Sequence, residues 1–280
     1  MLALLKRNFL LYFRNRSGVF FSLLGALISF ILYIIFLQKN LTDAWAQLPN
    51  SGPVLNNWLM SGTLAVTGIT TSLAALTQLV KDREHQVDQD LYLSDQGKWR
   101  LPFSYLTSAI IISFFMQALM YVLMCGYFRE VPTLSLLPEV LHIMLLSSLL
   151  SSLVNAIFVY FFHSVDSLGK FSTIVGTASG FLVGTYVPLG VLPDFAQLLM
   201  KCTPATYIAA LYRQVLMKEA LNETFKGQDN LLQEFQEKMG VQLKWQALLT
   251  KEQTYLIVLG GILLALGIWV SLAKRSNKRK

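Results

Sequence analysis

Long apolar runs separated by short polar stretches organise the chain, and the runs are longer than the core elements of a soluble domain require. Uncharged or nearly uncharged runs cover 18–37, 59–80, 103–127, 134–162 and 254–273. A helix rises about 1.5 Å per residue, so about 20 apolar residues cross a hydrocarbon core of about 30 Å. Each of these runs is long enough. Another apolar segment begins near 171, is broken by Tyr186-Val187-Pro188-Leu189-Gly190-Val191-Leu192-Pro193, resumes over 195–200 and breaks again at Pro204. The pattern predicts an all-α membrane protein with six transmembrane helices in one domain over 1–280. The run at 18–37 ends without a small-residue cleavage site and is expected to stay as an anchor.

The stretches between the runs carry patterns of their own. Within 1–16, Leu2, Leu5, Phe9, Tyr12 and Phe13 recur at helical spacing, while Lys6, Arg7 and Arg14 take another side. This predicts an interfacial helix, apolar face in the acyl boundary and cations at the headgroups. Between the second and third runs, 81–100 is dense in charge, with Val87 and Leu91 four residues apart. A short helix there presents a small apolar edge that docks on a cytosolic partner, or else the stretch is a solvated connector. In the fifth segment Gly176, Gly180 and Gly184 stand at four-residue intervals, a spacing that lets membrane helices approach closely. Backbone broken at membrane depth is tolerated where protein or a water-filled cavity satisfies it. A re-entrant pair of short helices is therefore expected after the fifth span, within an outer segment covering 186–253.

Composition agrees with the pattern. The 280 residues are 54% hydrophobic and 14% charged, against about 25% charged in a soluble domain. The net charge of +7 gathers beside apolar runs, so it points to lipid headgroups and orientation and not to nucleic acid. Placing both termini in the cytoplasm puts Lys6, Arg7, Arg14, Arg16, Lys81, Arg83, Lys98, Arg100, Lys170 and the basic tail inside, leaving Lys39 and Arg129 in the short outer loops. The expected location is the inner (cytoplasmic) membrane.

Several chemistries find no residues to carry them. His85, His142 and His163 lack a metal-binding or catalytic constellation, and Cys125 with Cys202 makes no metal or disulfide framework. The span interiors carry neutral polar groups such as Thr67, Thr70, Gln117 and Asn155, without the acids or lysines of an ion-coupled carrier. No GxxxxGK[ST] occurs, so the chain has no P-loop with which to hydrolyse ATP. It is not expected to be an enzyme or to hold a cofactor.

The opening Lys6-Arg7-Asn8-Phe9 through Arg14-Asn15-Arg16, Arg83-Glu84 after the second span, Thr185-Tyr186-Val187-Pro188 with Leu192-Pro193, and Pro204-Ala205-Thr206-Tyr207 together resemble the type-2 ABC exporter permeases of bacteria. The resemblance implies six spans, an interfacial amino-terminal helix and a separate ATPase subunit holding ATP and Mg. It also implies that 81–100 is the coupling segment resting on that ATPase, through Arg83, Glu84, Val87 and Leu91. The sequence departs from the family pattern at Asp82, where a Glu is usual, at Gln86 or Val87, where a Gly is usual, and at Ser94-Asp95, where Thr-Pro is usual.

The resulting expectation is the permease subunit of an ATP-driven exporter of an amphipathic cargo, a drug, a lipid-linked glycan or toxin, or a peptide. It works as a dimer of permease copies, with Thr67, Thr71, Gly176, Gly180 and Gly184 on the route and dimer face. Tyr186, Pro188, Pro193, Pro204 and Tyr207 form the outer gate. The rival readings are an ion-coupled secondary transporter and a non-transport membrane scaffold or sensor.

Overall fold

The apolar runs fold as helices because a chain in hydrocarbon must satisfy its own backbone groups. The computed structural model of the protein describes residues 1–45, 51–93, 97–129 and 134–279. In chain order the helices are α1 (Leu2–Arg14), α2 (Arg16–Leu32), a π-helical turn (Tyr33–Leu37), α3 (Gln38–Ala44), α4 (Ser51–Glu84), α5 (Val87–Leu93), α6 (Gly97–Phe128) and α7 (Leu137–Val159). They continue as α8 (Val165–Leu182), a 3₁₀ turn (Leu189–Val191), α9 (Asp194–Lys201), α10 (Pro204–Leu216), α11 (Lys218–Thr224), α12 (Asp229–Lys238) and α13 (Lys251–Arg279). Among the described residues the only β pairing is an isolated bridge between Lys244 and Leu248.

Helix α4 is the centre. It packs against α2, α6, α7, α8 and α10, and most of its length is buried, whereas α2 and α13 leave most of theirs open. Small and hydroxyl side chains permit that crowding. A Cβ on Gly68 would fall 2.7 Å from Ser147 Oγ of α7. Polar groups stitch the packed faces: Asn155 Nδ2 donates to Ile69 O (2.9 Å) and Ser72 Oγ (2.8 Å), and Gln117 Nε2 donates to Ser148 Oγ at 2.8 Å. Tyr212 Oη of α10 donates to Gln117 Oε1 at 2.8 Å. Such interhelical bonds contribute roughly 0.6 kcal/mol each, up to about 2, in membrane proteins.

Among the described residues five helical stretches are long and apolar enough to cross a membrane: Arg16–Asp43, Gly52–Glu84, Trp99–Phe128, Leu137–Val159 and Lys251–Arg275. The expected fifth span is not among them. It folds as α8, with 18 residues and with Asp166 and Lys170 in its first two turns, a length of about 27 Å. The helix begins at Val165, ahead of the expected start near 171. It ends at Leu182 because Gly184 takes a left-handed backbone (φ 70°) and the Thr185 and Tyr186 amides donate back to Gly180 O. Gly184 therefore does not continue the helical face of Gly176 and Gly180. The run at 134–162 is helical only over Leu137–Val159, and α1 stops at Arg14, where Asn15 Oδ1 caps α2 by accepting from the Gly18 amide at 3.0 Å.

One side-chain placement in α1 corrects the sequence reading. Leu4 and Asn8 face inward and Leu2, Phe9, Leu10 and Leu11 face outward, but Arg7 leaves the headgroup side and bridges to Asp82 of α4. Past α8 the chain breaks at Pro188, Pro193 and Pro204, which precede the 3₁₀ turn, precede α9 and open α10 respectively. Beyond α10, the chain packs Phe235 of α12 with Met217, Leu221 and Phe225 onto Tyr33, Leu55 and Trp58.

Candidate functional site

At the end of α4, three consecutive side chains bond to three different places. Asp82 is 3% exposed. It accepts from Arg7 Nη1 (2.7 Å) and Nη2 (2.9 Å), from Gln78 Nε2 (2.7 Å), and from Tyr105 Oη of α6 by a very short bond. Hydrogen bonding to Asp82 outweighs the effect of burial and raises the Arg7 pKa above its ordinary value, so Arg7 is a cation throughout the physiological range. Arg83 Nη1 donates to Phe162 O (3.0 Å) and Tyr160 O (3.3 Å) beyond the end of α7. Glu84 Oε2 accepts from the Val165 amide at the start of α8 (2.9 Å). A turn through Gln86, in the left-handed region at φ 59°, then leads into α5. That conformation explains why a glycine suits the position.

Of the expected coupling residues, Val87 and Leu91 lie on α5 and are partly buried. Leu91 packs inward against a cluster containing Leu101, Tyr105 and Trp269. Residues 94–96 of the coupling segment lie outside the described residues.

A groove of about 820 Å³ runs between α2 and α8 over α4. Its walls are apolar and hydroxylic: Phe21, Leu24, Ile28 and Phe36 from one side, Ser172, Thr173, Gly176 and Thr177 from the other, and Thr70 and Thr77 at the floor. Gly25 lets α2 come close to α8, since a Cβ on it would stand 3.2 Å from Gly176 O. Thr67 and Thr71, expected on this face, are instead fully buried in the protomer and donate to Thr63 O (2.8 Å) and Thr67 O (2.6 Å) of their own helix. One helical step separates them from the groove wall. On its other side α8 is flanked by a second, more apolar groove of about 430 Å³ against α7, with Val154, Phe158, Ile174 and Val175 among its lining.

The expected outer-gate residues do not form one cluster: Tyr186 lines the groove on the α2 side of α8, Pro204 lines the groove on the α7 side, and Tyr207 bonds elsewhere. The Tyr186 ring folds over Gly180, where a Cβ would fall 2.2 Å from Tyr186 Cζ, and meets Phe181 edge-on at 4.8 Å. Tyr207 Oη donates to Lys201 O (2.8 Å) and accepts from Trp245 Nε1 (3.1 Å), tying α10 to α9 and to the loop before α13. The residue that organises this region is Arg213 of α10, 1% exposed. Its guanidinium donates to Gly184 O (2.8 Å), Val183 O (3.1 Å) and Gly240 O (3.1 Å) and lies over Trp58, 5.2 Å from the ring centroid. The cation thus sits on the carboxyl-terminal end of α8, where the last carbonyls carry partial negative charge.

Asp82, Arg7 as a bridge, and Arg213 were not legible as site residues in the sequence. Arg213 did leave a signal, a lone cation in the apolar run Ile208-Ala209-Ala210-Leu211-Tyr212, which in a membrane context needs a partner. Among the described residues no group of three or more His, Cys, Asp or Glu side chains is placed to hold a metal.

A family model described as ABC-2 family transporter protein matches residues 37–269. No curated protein matches the chain. A match over most of the chain, on a helical bundle with membrane-length apolar helices, makes this protein a member of the ABC-2 transporter family, the multi-pass membrane component of an ABC transporter that works with an ABC ATPase subunit.

Proposed function

We propose that the chain is the permease half of an exporter built from two copies of itself and two ATPase subunits, moving an amphipathic cargo across the inner membrane. The observation that carries this reading is the groove between α2 and α8. It is long, faces outward from the protomer, and combines apolar walls with the hydroxyls of Thr70, Thr77, Ser172, Thr173 and Thr177. A second copy facing it closes the groove into a passage whose walls suit apolar and polar parts of one cargo. In this reading α8 is the sixth membrane-crossing element, and α9 and α10 form the re-entrant pair. Val191, Phe195, Leu198 and Leu199 on and before α9 are exposed, which favours contact with lipid or a second copy over contact with water. Both termini lie in the cytoplasm, the ATPase rests on α5 and the residues after it, and ATP and Mg belong to that subunit.

The test uses Gly176→Leu. A Cβ at Gly176 meets open space, so the variant fills the groove without disturbing the protomer. With the P-loop subunit co-purified in nanodiscs, Gly176→Leu is expected to leave assembly intact and to depress ATP-driven efflux of an amphipathic dye from vesicles about tenfold. Absence of any co-purifying P-loop chain, together with unchanged efflux in the variant, defeats the reading.

A further inference from the structure

The cytoplasmic end of α4 does more than lead into a coupling segment. Helix α8 is bordered by grooves on both sides, so its position depends on its contact with α4 and α2 and on how its ends are held. Its start is held by Glu84. The first amides of a helix lack intrahelical partners and the helix dipole makes that end positive, so a carboxylate at the Val165 amide satisfies both requirements. Ser164 Oγ adds a second acceptor, for the Ser167 amide at 3.3 Å. The neighbouring Arg83 meets the opposite polarity. Its guanidinium takes the Tyr160 and Phe162 carbonyls, at the end of α7 where carbonyls are orphaned and the dipole is negative. The Arg83-Glu84 dipeptide thus matches the electrostatics of both helix ends across the α7–α8 turn. Asp82 completes the arrangement by holding Arg7 of α1 and Tyr105 of α6.

We infer that Asp82, Arg83 and Glu84 are positioning residues forming a three-way knot that makes α1, the α7–α8 turn and the start of α8 move together with α5. Glu84, although exposed, accordingly acts on α8 from within the chain. The inference rests on the permease reading only in naming α5 as the place where force enters. When α5 is displaced, the wall of the groove formed by α8 is drawn with it through Glu84, and α1 is drawn through Asp82 and Arg7.

Spin-label distances in nanodiscs test this, in a background with Cys202→Ser and Cys125→Ala. Labels at Gln89 on α5 and Lys170 on α8, both exposed, report the spacing across the turn. Glu84→Ala is expected to broaden that distance distribution at least twofold. Glu84→Gln, whose amide oxygen still accepts from the Val165 amide, keeps it narrow. Arg7→Met broadens a Lys6–Gln89 pair and leaves the Gln89–Lys170 pair unchanged. With the ATPase subunit and a non-hydrolysable nucleotide added, the Lys170 label shifts with the Gln89 label in the parent and fails to follow it in Glu84→Ala. Widths in Glu84→Ala equal to the parent's, or Glu84→Gln as broad as Glu84→Ala, overturn the knot. A parent that ignores nucleotide counts against the permease reading alone, because the nucleotide-free widths decide the knot without the ATPase.

Discussion

Removing one partner of the Arg7–Asp82 bridge separates two kinds of cost. The Asp82 side chain is 4% exposed and that of Arg7 is 29% exposed, so the two are not equivalent. Arg7→Met leaves a buried carboxylate supported only by Gln78 and Tyr105. Stranding a buried charge costs about 3–5 kcal/mol, and the partial exposure of Arg7 puts the expected loss at the lower end, about 3 kcal/mol. Asp82→Asn strands nothing comparable, because the long Arg7 side chain can swing its head to the interface. The exchange of a charge-assisted bond for a neutral one then costs about 1–2 kcal/mol. The double variant Arg7→Met/Asp82→Asn holds neither charge. It is therefore expected to be more stable than Arg7→Met alone by about 1 kcal/mol or more, well outside the additivity found for independent sites, about 0.5 kcal/mol. For a chain of this size about 1 kcal/mol moves the midpoint by about 2 °C. Tryptophan-monitored thermal unfolding in one detergent should thus place Arg7→Met about 6 °C below the parent, Asp82→Asn about 2–4 °C below, and the double variant between them. A double variant less stable than Arg7→Met by the full Asp82→Asn increment would refute the coupled bridge.

Other substitutions probe the remaining elements. Gln86→Gly relieves the left-handed backbone at φ 59° and should stabilise by about 0.5–1 kcal/mol, seen as a midpoint rise of about 1–2 °C where Gln86→Ala gives none. Gly180→Ala forces the Tyr186 ring off its seat and should cost about 1–3 kcal/mol; adding Tyr186→Ala should recover part of it in the same melt, and additive losses would argue against the packing. Arg213→Met leaves the Val183, Gly184 and Gly240 carbonyls without their donor and should cost about 3 kcal/mol or more. Limited proteolysis between α10 and α13 should then accelerate in the folded fraction, with Arg213→Lys intermediate.

Much of the architecture was legible in the chain. Five of the six apolar segments form membrane-length helices because hydrocarbon leaves no alternative to internal backbone bonding, and the three prolines mark breaks because none can continue a preceding helix. The Arg83-Glu84 pair was also visible, through its position after the second span. The glycine stripe was legible only in part. Gly176 lines the groove with open space where a Cβ would stand, Gly180 is occupied by a ring from its own chain, and Gly184 is a turn residue. A period of four says which residues share a helical face, but not where the helix stops.

Length, apolar content and breaker positions act locally, so the sequence by itself determined the helices, their order and the chain's need for a bilayer. Pairings across 75 residues, as between Arg7 and Asp82, or 29, as between Arg213 and Gly184, depend on which helices become neighbours. Only the tertiary structure decided them. The same basic side chain reads as a headgroup contact in an isolated amphipathic helix and as a partly buried bridge once α4 and α6 stand beside it. The physical reason is that a charge takes whichever of water or an opposite charge the packing leaves within reach.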